Sequence, residues 1–84
     1  MYILLDSASG GVYAVNNDQT ASKTVQIFVD KDDAERYNMM LEALDYKRTL
    51  EITEVDLDVV VHNCQLHHYD YVVIQPDDVV VPPL

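Results

Sequence analysis

Four side chains of the types that bind metal ions lie close together in the second half of the sequence: His62, Cys64, His67 and His68. On a helix, Cys64 and either His67 or His68 would share one face at a spacing that suits a single metal ion. A structural zinc site normally needs four ligands, and no CxxC or HxxxH motif accompanies these residues. The pattern therefore favours Cys64 as a core residue with the histidines at a helix end. A metal- or pH-responsive element built from the four residues is the alternative.

No other pattern in the sequence is typical of an enzyme. The acidic residues at 30–35 resemble a calcium ligand set, but they lack the central glycine and the distal glutamate of an EF-hand loop. The serines lie outside any GxSxG elbow, and Gly10-Gly11 lacks the further glycine and the lysine of phosphate-binding loops. A single small core also leaves little room for a pocket. We expect a protein that is not an enzyme and has no catalytic residues and no cofactor.

Tyrosines and carboxylates are the best candidates for a contact surface. The chain has six tyrosines, and tyrosine is enriched at protein interfaces because its ring is apolar while its hydroxyl can stay in water. Asp77 and Asp78 follow Pro76, which predicts a turn and leaves open a peptide-like docking signal. The candidate interaction residues are Tyr46, Tyr69, Asp70, Tyr71, Asp77 and Asp78.

The charge of the chain restricts its partners. Fifteen acidic side chains against five basic ones give a formal net charge of -10, and no Lys or Arg follows Arg48. Nucleic acid is held mainly by Lys and Arg, so neither direct nucleic-acid binding nor attraction to an anionic membrane is expected. The charge suits a protein partner, most readily a basic one. The single cysteine and the lack of a signal sequence or a membrane-length apolar run predict a cytoplasmic protein.

Hydrophobic periodicity predicts seven secondary-structure elements. Apolar runs predict strands near residues 2–5, 12–15, 24–29, 49–55 and 71–75. Acidic capping residues after position 29 and an apolar stripe ending at Leu44 predict a helix that runs to about Asp45. A second, shorter helix could begin at Asp56 or Asp58, although Val59-Val60-Val61 favours a strand equally well.

The resulting order, βββαβαβ, predicts a single α+β domain over residues 1–84. Its four- to five-stranded antiparallel or mixed sheet would carry both helices on one face, in a ferredoxin-like sandwich. Residues 76–84 would form an extended tail, because Pro82 and Pro83 cannot continue a strand ladder.

Two stretches resemble a family of small uncharacterised proteins of cyanobacteria and plant plastids. The segment 25–37 is similar to the family's strand and acidic helix start, Asp-Asp-Ala-x-Arg followed by Tyr or Phe, and 41–46 is similar to its helix end. The stretch 4–13, Cys64, the segment 69–74 and the closing 81–83 fall in comparable places. The resemblance implies a shared fold and lineage, and it brings no reaction or cofactor.

This copy departs from the family at Leu44, where Gln is usual, in its histidine-rich second helix and in its short acidic form. These departures suggest a cyanophage origin, in which case the protein would act in the host cytoplasm.

The missing chemistry favours a small acidic protein–protein interaction module. It could act as a homodimer, through a sheet edge or the tyrosine-bearing surface, or on a host or photosynthesis-related protein. An acidic nucleic-acid mimic that inhibits a DNA- or RNA-binding protein is a hypothesis from a different class, and it predicts binding that weakens steeply with salt.

Overall fold

The computed structural model describes residues 1–17, 22–78 and 82 of the chain. Its elements follow the predicted order: β1 (Tyr2–Asp6), β2 (Ala14–Asn17), β3 (Ser22–Phe28), α1 (Lys31–Ala43), β4 (Leu50–Glu54), α2 (Leu57–Leu66) and β5 (Asp70–Ile74). The five strands form one sheet. The prediction of an α+β fold with this order of elements is confirmed.

The strand β3 connects the other strands of the sheet. Its first half pairs antiparallel with β2, and its last residue, Phe28, pairs antiparallel with Tyr2 of β1. Along its opposite edge β3 pairs with β5 in parallel, while β1 pairs antiparallel with β4. The sheet is therefore mixed. The segment between β1 and β2 contacts β1 through a bridge between Leu5 and Val12, whereas β2 itself pairs with β3.

The two helices lie on opposite faces of the sheet, so the prediction that both cover one face is wrong. In β1, Leu4 belongs to a core cluster with Tyr37 of α1, whereas the neighbouring Ile3 belongs to a second cluster with Val60 of α2. Neighbouring strand residues point to opposite faces of a sheet. Because β1, β3 and β5 carry apolar side chains at consecutive positions, both of their faces need cover from water, and one helix covers each.

The helix α1 begins where its acidic residues predict. The carboxylate of Asp30 accepts a hydrogen bond from the Asp32 N–H at 3.0 Å and caps the helix. Ala34, Tyr37 and Leu41 recur at three- and four-residue steps and are buried against the sheet.

The ambiguous segment after Asp56 is a helix. Val60 and Cys64, one helical turn apart, are its buried residues, and they pack against the second face of the sheet. The tail predicted over 76–84 lies largely outside the described residues. Among its described residues, 76–78 form a turn after β5, and Pro82 is buried.

Candidate interaction surface

Large apolar side chains are exposed mainly in α2 and β5. Among the described residues nine large hydrophobic side chains are exposed, and five of them lie between positions 59 and 72. These five are Val59, Leu66, Tyr69, Tyr71 and Val72. Because Val72 shares the α1 face of β5 with Ile74, only the other four, which we call the α2–β5 surface, lie on the side of α2. Single exposed apolar side chains are common, but a concentration of them in neighbouring elements is typical of an interaction site.

The helix α2 carries apolar side chains on its outer side as well as on its inner one. Val60 and Cys64 face the core, and both are buried. Val59 and Leu66 are seven residues apart, which places them on one side of the helix, and they are 55% and 61% exposed. The helix thus packs on the sheet and still leaves apolar area in water.

A left-handed residue ends α2 and fixes the position of Tyr69. His68 has a φ of 58°. The N–H of Tyr69 donates to the carbonyl of Cys64 at 2.8 Å, and the N–H of His68 donates to the carbonyl of Gln65 at 3.4 Å. This pair of bonds is a Schellman motif, in which the residue after the left-handed one folds back towards the last turn of the helix.

The helix α1 ends in the same motif. Asp45 has a φ of 60°, and the N–H of Tyr46 donates to the carbonyl of Leu41 at 3.0 Å. Tyr46 packs its ring against that of Tyr13, with centroids 5.7 Å apart. Two of the predicted interaction residues, Tyr46 and Tyr69, therefore occupy equivalent positions, one after each helix.

The strand β5 brings three predicted site residues to one corner of the molecule. Within the described residues it pairs with β3 alone, so it forms an edge of the sheet. The carboxylate of Asp70 accepts a hydrogen bond from the Ser22 hydroxyl at 2.9 Å, which holds the start of β5 against β3. Tyr71 and Val72 are 44% and 41% exposed. Tyr69, Asp70 and Tyr71 thus lie together, whereas Tyr46 belongs to the end of α1.

Asp77 and Asp78 lie in the turn that follows β5, as the sequence predicts. The N–H of Gln75 donates to the carboxylate of Asp78 at 2.9 Å, and the N–H of Asp78 donates to the Gln75 carbonyl at 3.0 Å. Both aspartates are exposed. The carboxylate of Asp78 therefore stabilises the turn, and the pair extends the acidic character of this end of β5.

The side chains of the hypothetical metal site do not converge. Cys64 is buried, and burial raises the pKa of its thiol. His62, His67 and His68 are exposed, His62 within α2 and the other two just after its last residue. In the part of the chain that the structure describes, no three His, Cys, Asp or Glu side chains lie close enough to hold a metal ion. Cys64 is a core residue, as the sequence predicts, and His67 and His68 lie at the helix end, whereas His62 does not.

A cleft of about 820 Å³ extends along the sheet beside α2. Tyr46 and Tyr69 both line it, so the two Schellman motifs contribute to one concave surface. The cleft is larger than the little room for a pocket that a single small core predicts. Beyond the single pair that joins β1 to β3, the segment 11–13 pairs with β1 and also lines the cleft.

A buried carboxylate and an exposed guanidinium form an ion pair on the wall of this cleft. Asp6 is 7% exposed, and its carboxylate accepts hydrogen bonds from Arg48 at 2.7 Å and from the Ala8 N–H at 2.9 Å. The Ala8 N–H and the Arg48 guanidinium hold the pKa of the Asp6 carboxyl below its usual range. Sequence reasoning missed this pair. An Asp that precedes a run of Ser and Gly residues is typical of a turn held by its own side chain, which is the signal that could have identified Asp6.

Together these features define a small α+β protein with an acidic charge, an exposed apolar surface and a cleft. Its sequence matches a family described as a domain of unknown function, DUF3110, over residues 1–84, and the chain belongs to this family. Comparisons with curated proteins and with solved structures give no significant match. In the described residues, no helix has both the length and the apolar character needed to cross a membrane.

Proposed function

We propose that this protein is a non-enzymatic protein–protein interaction module that binds its partner through the α2–β5 surface. The observation that carries the proposal is the concentration of exposed apolar side chains in two neighbouring elements of a highly charged protein. Burying such side chains against a partner removes apolar area from water, which is the main driving force of association.

The charge around this surface supports a basic partner. The sequence from Asp56 to Asp78, which contains α2 and β5, has five acidic residues and no Lys or Arg. An interface is most favourable when its polar rim meets charges of the opposite sign. Two copies of this chain would bring acidic rims together, so a partner with an apolar centre and a basic rim fits the α2–β5 surface better than a homodimer does.

The resemblance to cyanobacterial and plastid proteins supports a partner in that setting. We infer a cytoplasmic host protein, with photosynthesis-related proteins as the first class to search. A cyanophage origin of this copy would be consistent with the same partner.

A pair of matched variants tests the proposal. Leu66 in α2 and Met39 in α1 are 61% and 62% exposed, so replacing either by Gln should cost the fold little. The tagged wild type, Leu66→Gln and Met39→Gln would each be used to capture proteins from a cyanobacterial lysate at low and high salt. We expect a partner that the wild type and Met39→Gln retain and that Leu66→Gln loses, and its affinity would then be measured with purified components.

The outcomes separate this function from its alternatives. Equal capture by all three proteins would contradict a role for the α2–β5 surface. A different result would favour the nucleic-acid mimic: the wild type and both variants would all capture nucleic-acid-binding proteins, and these would be lost at high salt. If the purified wild type self-associates as its concentration rises and Leu66→Gln does not, the partner at this surface is a second copy of the chain and not a basic protein.

A further inference from the structure

The cleft beside α2 has a charge balance opposite to that of the rest of the molecule. The chain has fifteen acidic and five basic side chains, yet the described residues that line the cleft include two of the bases, Lys23 and Arg48, and a single acid, Asp6. Asp6 forms an ion pair with Arg48 at 2.7 Å. Among the described residues that line the cleft, no further acid is present to compensate the positive charge of Lys23.

Lys23 is placed to meet a ligand. Its side chain is exposed, and no described residue forms an ion pair or a hydrogen bond with it. In the sheet it pairs with Asn16 of β2, which also lines the cleft. Asn63 of α2 and His67, the residue that caps its end, line the cleft too, as does Tyr69. These side chains add hydrogen-bond donors to the ammonium group of Lys23.

Apolar side chains form the remaining wall of the cleft. Val59 and Val60 line it from α2, Ile3 and Val25 from the sheet, and Val55 from the residue after β4. Pockets that bind small molecules usually combine an apolar lining with a few polar groups, within a volume of roughly 300 to 1,000 Å³. The cleft, at about 820 Å³, falls within this range.

We propose that this cleft binds an amphipathic anion, a small molecule with an apolar body and one carboxylate or phosphate group. The anionic group pairs with Lys23, and the apolar body contacts the valine and isoleucine side chains. This proposal goes beyond the partner-binding function proposed above. Val59 and Tyr69 belong to both sites, but Leu66 does not line the cleft, so Leu66→Gln distinguishes the two.

The net charge of the protein helps to distinguish specific from non-specific binding of an anion. A protein with a net charge of -10 attracts cations and repels anions non-specifically. Dodecanoate, dodecyl phosphate and dodecyltrimethylammonium would be titrated below their micellar concentrations and followed by calorimetry. We expect one of the two anions to bind with one-to-one stoichiometry and more tightly than the cation, and the tighter anion identifies carboxylate or phosphate as the preferred group.

Two variants with the same change of charge serve as test and control. Lys23→Gln should weaken binding of the anion about fivefold, the loss expected for one partly exposed ion pair. Lys31→Gln removes a lysine at the start of α1, outside the cleft, and should leave binding unchanged, as should Leu66→Gln. Tighter binding of the cation, or equal effects of Lys23→Gln and Lys31→Gln, would overturn the proposal.

Discussion

The two faces of the sheet are covered in different ways. On the α1 face, Phe28 and Tyr37 are each 1% exposed, with ring centroids 5.5 Å apart, and the ring of Tyr13 packs against Tyr37 at 5.7 Å. The hydroxyls of Tyr13 and Tyr37 lie 3.0 Å apart, within hydrogen-bond distance, so this polar pair is satisfied inside the core. On the other face, α2 buries Val60 and Cys64, while Val59 and Leu66 remain in water.

This difference separates stability from recognition. A small domain buries only about 60% of its unfolded surface, so it depends on a few large buried side chains. The α1 face supplies the three largest, Tyr37, Phe28 and Leu4. The α2–β5 surface contributes less to the core and retains apolar area that a partner could cover. Substitutions on the α1 face should therefore change stability more than substitutions in the α2–β5 surface.

The largest effect is expected from a truncation in the aromatic core. Phe28→Ala should lower the free energy of unfolding by about 3 to 5 kcal/mol, because it leaves a cavity in a fully packed site. Tyr71→Ala, at the exposed edge of the sheet, should lower it by about 1 kcal/mol or less. Urea unfolding of the two variants checks the comparison, and similar losses would show that β5 belongs to the stabilising core.

A pH-dependent effect is expected at Asp6, which supports the loop between β1 and β2. Its pKa is lowered in the folded protein by the Ala8 N–H and by Arg48, so its contribution to stability is present above the ordinary carboxyl pKa. That contribution is lost as the pH falls through the lowered pKa. Asp6→Asn should therefore be less stable than wild type at pH 7, and the difference should shrink as the pH falls below about 4. A difference that stays constant from pH 7 to pH 2 would contradict the assigned cause.

A smaller effect is expected from the hydroxyl pair in the aromatic core. Tyr37→Phe should lower the free energy of unfolding by about 1 kcal/mol, because the Tyr13 hydroxyl loses its buried partner. Tyr69→Phe removes a hydroxyl from the α2–β5 surface and should leave stability nearly unchanged. Thermal unfolding of both variants and the wild type shows whether stability depends on the Tyr37 hydroxyl and not on the Tyr69 hydroxyl.

The smallest effects are expected at the two helix ends. Asp45 and His68 adopt left-handed backbone conformations that glycine tolerates better. Asp45→Gly and His68→Gly should each raise the free energy of unfolding by about 0.5 kcal/mol. If His68 serves only as a helix end, His68→Gly should also bind the partner as wild type does. Weaker binding would assign a recognition role to the imidazole.

The elements that could be predicted from the sequence are those that depend on local patterns. Asp30 and the spacing of Ala34, Tyr37 and Leu41 determine α1 without reference to the rest of the chain. The valine triplet in α2 was ambiguous, because β-branched residues fit either structure and packing against the sheet decides between them. The placement of the helices was predicted wrongly, because the pattern shows that both faces are apolar but does not show which helix covers which face.

The candidate site could be predicted only in part. Tyrosine type and the acidic charge indicated Tyr46, Tyr69 and Tyr71, all of which are exposed. The cleft could not be predicted, because Lys23 and Arg48 are far apart in the sequence and line the same cleft only in the folded chain. The exposure of Leu66 could not be predicted either, because it depends on which side of α2 packs against the sheet.

The most direct test of the central claim is a map of amide chemical shifts in the isotope-labelled protein, recorded with and without the partner that Met39→Gln retains and Leu66→Gln loses. The account predicts shifts or line broadening confined to α2 and β5, residues 57–74, with the amides of α1 unchanged. Changes centred on α1, with those of α2 and β5 unaffected, would contradict it.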